Sequence, residues 1–97
     1  MKISMYLCVF LCASWLSSAA EAACYADYKA KQEAPLRLHY GVVQVDVTPC
    51  QQSGTVTSIV KERIARGGWQ LLQVQSVFDE SGLDRRKQDA GQYFLRF

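Results

Sequence analysis

Histidine is almost missing from this chain: His39 is the only one in 97 residues. That scarcity excludes a metal centre built on several imidazoles and leaves a single side chain that titrates near neutral pH. No glycine-rich loop precedes a helical stretch, because Gly67-Gly68 follows one, so a phosphate cradle is also excluded. Neither sign of charge dominates. Lys and Arg number 11 against 9 Asp and Glu, a net charge of +2, and the basic stripe that a nucleic-acid binder needs is absent. No nucleophile elbow, internal repeat or low-complexity tract occurs. The one long apolar run is too short to span a bilayer as a stable helix.

That run is informative in another way. Lys2 supplies a positive start, Ile3 to Leu16 form an apolar core of about 14 residues, and Ala20-Glu21-Ala22 fits a signal-peptidase site. The expected organisation is a signal peptide over 1–22, cleaved after Ala22 with Ala20 as second choice, and a single domain over 23–97. The expected location is secreted or periplasmic, with no membrane association after the leader is removed. Export settles the cysteines: Cys8 and Cys12 leave with the leader, and Cys24 and Cys50 remain as one disulfide. Closing a loop of about 27 residues contributes about 3–4 kcal/mol on the chain-entropy model.

The remaining stretch reads as five pieces. Cys24 to Ala34 carries helix-forming Ala, Lys, Gln and Glu with an Asp27/Lys31 pair, and Pro35 stops it. Leu36 to Val47 alternates as a strand but slips phase at Gly41, which predicts a bulge there. Thr55 to Arg66 places Val56, Ile59, Val60 and Ile64 on one stripe, with Ser53 or Thr55 as N-cap and Gly67 as a left-handed C-cap. Trp69 to Phe78 is rich in β-branched and aromatic residues. The charged stretch Asp79 to Ala90 reads as a loop, and Gly91 to Phe97 as a last strand. The expected fold class is α+β. It comprises a small three-stranded antiparallel sheet (β-α-β-β) with the last strand in the centre, one main helix on one face, and a short N-terminal helix tied by the disulfide.

From His39 to Phe97 the chain resembles a small bacterial domain family of unknown function. The resemblance rests on the Tyr40-Gly-Val-Val-Gln-Val strand, the helix closed by Gly67-Gly68, the Trp69-Gln-Leu-Leu-Gln-Val strand, and an aromatic last strand with Phe94 and Arg96. Family members run strand, helix, Gly-Trp-Glu-Leu-Val-type strand and final aromatic strand. The resemblance implies a fold and no activity. Gln70 stands where the family has an acidic residue, and the leader and the Cys24–Pro35 segment are additions.

Catalysis finds little to stand on. His39, Asp46 and Arg37 are the one combination worth weighing for hydrolysis, but the same-parity neighbours of His39 are Arg37 and Gly41, with no nucleophile at hand. The chain is therefore expected not to be an enzyme and to need no cofactor or metal. Trp69, Leu71, Val77 and Phe94 are too many apolar groups to leave wet on an open sheet face, and they form the candidate interface. The expected partner is a second copy, as a homodimer, or another envelope or secreted protein. A second candidate, for a small ligand or carbohydrate, combines Trp69 with the Asp79–Ala90 loop and its Arg85, Arg86 and Lys87.

Overall fold

The computed structural model describes residues 23–97; the apolar leader and its expected cleavage site lie outside the described residues. The fold is α+β. Strands β1 (Cys24–Gln32), β2 (Arg37–Val45) and β3 (Gln70–Asp79) form one antiparallel sheet in the order β2-β1-β3. Helix α1 (Gly54–Ala65) lies between β2 and β3 in sequence, and a short helix α2 (Asp84–Ala90) follows β3.

The sheet is antiparallel and three-stranded as expected, but its centre is the first strand and not the last. Cys24–Gln32 is extended instead of helical. Its helix-forming composition is overridden by pairing on both sides, because each backbone N–H and C=O finds a ladder partner on β2 or β3. Alternation does the rest. Cys24, Ala26, Tyr28 and Ala30 join the core under α1, and the two alanines leave room for the helix to approach.

Strand β2 pairs with β1 without a break from Cys24↔Val45 to Gln32↔Arg37, so no bulge occurs at Gly41. Val42 and Val43 are both fully buried because both faces of the sheet are covered there. Gly41 serves packing instead: a Cβ would stand 2.6 Å from Tyr28 Cζ, so the missing side chain is where the Tyr28 ring lies. The irregularities fall in β3, whose register against β1 shifts between Asp27 and Tyr28 and again between Lys29 and Ala30.

Helix α1 buries Val56, Val60 and Ile64 and is capped by Ser53, whose hydroxyl accepts from Val56 N at 3.3 Å. At its other end Gly68, with φ +82°, takes the left-handed conformation expected of Gly67. Trp69 N donates to Ile64 O at 3.1 Å and Gly68 N to Ala65 O at 3.0 Å, closing a Schellman cap. Gly67 is required for another reason, since a Cβ there would stand 2.6 Å from Phe97 Cε1.

Two cores result, one on each face of the sheet. The first lies between the sheet and α1; the second gathers Tyr25, Val42 and Ala90 with Tyr40, Phe78, Leu83 and Phe94 beneath α2. The expected last strand is a strap. Gly91–Tyr93 is a 3-10 turn, and the remainder pairs with the outer edge of β2 only at Val42↔Phe94, where Leu95 N donates to Val42 O at 2.8 Å. Positive φ at Gly91 and Leu95 breaks the extended path, so Phe94 enters the second core while Tyr93 and Phe97 pack against the first.

Candidate functional site

Three groupings of polar and aromatic side chains stand out, and each grows from a particular strand position. The first is built on Asp27, buried in the central strand beneath α2. Its Oδ2 accepts from Tyr40 OH at 2.6 Å and from Arg86 Nε at 3.0 Å, and its Oδ1 accepts from Ser76 Oγ at 2.6 Å. Burial by itself would raise the Asp27 pKa, but the hydrogen bonds from Ser76, Tyr40 and Arg86, with the Arg86 charge, outweigh it and hold the carboxyl below its usual value. Arg86 also donates from Nη1 to Gly82 O at 2.8 Å and lies 3.9 Å over the Phe78 ring. The arrangement pins α2 to the sheet and leaves neither charge free for chemistry.

The second grouping surrounds His39. Its ring stacks on Tyr93 at 3.7 Å, meets Trp69 edge-on at 4.2 Å, and shares a hydrogen bond of 2.9 Å between Nε2 and Tyr28 OH. Nδ1 is buried without a partner. Burial, reinforced by the Arg96 charge, pushes the His39 pKa down to about 4, so the ring is neutral at pH 7. The Tyr28 phenol is pushed up by burial and holds its proton. Asp46 lies beyond the far end of β2, roughly 20 Å along the strand from His39, so these two do not assemble a catalytic pair.

The third grouping is at the β1–β2 hairpin end, beyond the reach of α2. Leu36 and Leu38 are 66% and 67% exposed and Leu72 is 50% exposed. Leu38 and Leu72 share a groove of about 300 Å³ with Lys29 and Tyr40. On its other side Leu38 borders a second, more polar cleft of about 570 Å³, lined by Arg37, Trp69, Gln92, Tyr93 and Arg96. Lys31 is paired with Glu33 at 2.9 Å, whereas Lys29, Arg37 and Arg96 have no acidic partner among the described residues. Carboxylates gather at the opposite end: Asp79 stands opposite Cys24 in the ladder, and Asp46 follows Val45, the other neighbour of Cys24. The domain is thus polarised, basic and apolar at the hairpin end and acidic at the disulfide end.

The residues singled out in the sequence are distributed among these groupings. Cys24 and Cys50 form the disulfide, with Cα atoms 5.6 Å apart. Trp69 is 9% exposed and wedged between α1 and His39, and Leu71 and Val77 pack against the same core from β3. Phe94 belongs to the second core, on the opposite face of the sheet. Arg85, Arg86 and Lys87 lie on α2 and not on a loop; Arg86 is the half-buried partner of Asp27, while Arg85 and Lys87 are exposed. Trp69 borders the hairpin-end cleft and a groove with Thr57, Lys61 and Gln73, and the Asp79–Ala90 stretch lines neither. Leu38 and Leu72 are not distinguishable in the sequence as surface residues, because alternating leucines in a strand read as core until the covering helix is seen to stop short of them; Arg37 and Arg96 are named there, but nothing in the sequence brings the two together.

Among the described residues no three His, Cys, Asp or Glu side chains are grouped to hold a metal ion, and no helix is long and apolar enough to cross a membrane. No family model, curated protein or solved structure matches the chain.

Proposed function

We propose that the chain is an exported, non-enzymatic interaction module that captures another envelope or secreted protein at its hairpin end. The observation that carries this reading is the groove shared by the exposed Leu38 and Leu72 beside cations that have no acidic partner among the described residues. Contiguous apolar side chains rimmed by charge are the signature of a contact surface, and leaving them wet costs solubility without helping the fold. A partner that presents apolar and acidic side chains complements this surface in both respects. The disulfide supports the exported reading, since a cystine persists in an oxidising compartment and is rare in a reducing one. The resemblance to the small bacterial domain family adds a fold expectation and no activity to this reading.

The test is affinity capture from envelope extract with the isolated protein and with a Leu38→Asp/Leu72→Asp variant. Both positions are exposed, so thermal stability should change by no more than about 0.5 kcal/mol per site, while capture of the partner is lost. Equal capture by the two proteins would refute the site, and a dimer of the parent chain that the variant abolishes would identify the partner as a second copy. Intact mass of the natural product, expected to begin at Ala23 with one disulfide, tests export.

A further inference from the structure

Next to the leucine groove lies the more polar concavity, which shares Leu38 with it and whose Arg37 and Arg96 also belong to the rim of the proposed contact surface. Arg37 reaches it from β2, Trp69 from the end of α1, and Gln92, Tyr93 and Arg96 from the C-terminal strap. Three separate parts of the chain therefore converge there. Two guanidiniums line one cleft with no carboxylate paired to either among the described residues, and like charges so placed repel unless an anion or solvent screens them.

The walls suit an anion better than water alone. The Arg96 guanidinium sits 5.7 Å over the Tyr93 ring, and Trp69 supplies a second aromatic wall. The two rings form the apolar part of an otherwise polar cleft in which the arginine and glutamine side chains are exposed. Planar guanidinium forks match the geometry of carboxylate and phosphate oxygens, and the Gln92 amide adds a neutral donor. The positive potential also reaches inward, because Arg96 disfavours protonation of His39, which is nine-tenths buried behind Tyr93 with Nδ1 unpartnered. At about 570 Å³ the cleft is open and polar and has room for a small anion.

We infer that this cleft is an oxyanion site, holding the carboxylate or phosphate group of a small anion between Arg37 and Arg96. Carboxylate and phosphate share the recognising chemistry, and the experiment separates them. The isolated protein, labelled with ¹⁵N at arginine and histidine, is titrated with benzoate, with inorganic phosphate, and with benzyl alcohol as the neutral control, all at constant ionic strength in chloride. Saturable shifts of the Arg37 and Arg96 Nε–H signals are expected with at least one anion and not with the alcohol. The bound anion offsets the Arg96 charge, so His39 should titrate at a higher pH in its presence, with Tyr28, Tyr93 and Arg96 the groups that face the ring. Arg37→Gln, at an exposed position outside both cores, should weaken binding roughly tenfold or more without lowering the melting temperature. Saturation by benzoate alone assigns a carboxylate ligand, by phosphate alone a phosphoryl ligand, and by both the shared chemistry. Shifts that grow linearly with every added salt, or that survive Arg37→Gln unchanged, overturn the assignment.

Discussion

Replacing Arg86 with methionine keeps the aliphatic stem over Phe78 and removes only the charge and its donors. Asp27 would then be a carboxylate whose side chain is 8% exposed, retaining the Tyr40 and Ser76 hydrogen bonds but facing no cation. Breaking a buried pair from one side costs about 3–5 kcal/mol. A domain of this size has roughly 4–11 kcal/mol in total, so Arg86→Met should bring the fold near its limit at pH 7. The pH dependence carries a sign that a mere packing defect would not. In the parent, Asp27 has a lowered pKa, and its contribution is complete above the unfolded value of 3.8 and is lost as pH falls through the folded one. Without Arg86 two of the influences that hold the Asp27 pKa down are gone, so it lies higher than in the parent and the folded variant takes up its proton at a higher pH than the folded parent does. The penalty relative to the parent should therefore shrink as pH falls from 7 toward 4. Urea unfolding of both proteins across that range measures it, and comparing the two proteins at each pH removes contributions they share. The Asp27→Leu/Arg86→Met double variant should recover only part of the loss, since it removes the unpaired charge but leaves the Tyr40 and Ser76 hydroxyls without their acceptor. A cost below about 1 kcal/mol at pH 7, or a penalty that grows with acid, would refute the account.

Two further outcomes follow from the same reasoning. Cys24→Ser/Cys50→Ser should lower stability by about 3–4 kcal/mol, from the loop closed over a sequence separation of 26; equal melting temperatures of the parent with and without reductant would contradict it. His39, held near pKa 4 against 6.5 unfolded, takes its proton in the unfolded chain first, so stability should fall by up to about 3 kcal/mol as pH drops from 6.5 to 4. His39→Phe should remove that slope, and a slope unchanged in the variant would sink the assignment.

Much of the architecture could be read from residue pattern, and the failures have physical causes. Val56, Val60 and Ile64 with Ser53 define α1 because periodicity and cap agree, and Trp69 to Phe78 reads as a strand from its β-branched and aromatic content. Cys24–Gln32 misleads because its face under α1 mixes Cys24 and Tyr28 with two alanines of high helix propensity, while Tyr25 and Asp27 are buried on the other face as well, so little apolar alternation is left to read. The two-sided burial of Val42 and Val43 mimics a phase slip, which is why a bulge was expected at Gly41. Helix α2 is short and charged, and what holds it is a contact between Arg86 and Asp27, 59 residues apart, beyond any local rule. The hairpin-end site was hidden for a related reason, since whether Leu38 is core or surface depends on where α2 ends.

The order of elements bears on how this protein is put together. The central strand precedes both of its neighbours in the chain, so its edges wait for β2 and then for β3, and the strap lends one phenylalanine to each core: Phe94 to one and Phe97, against Gly67, to the other. A cut ahead of Phe94 would therefore open both cores at once, although it removes no strand of the sheet.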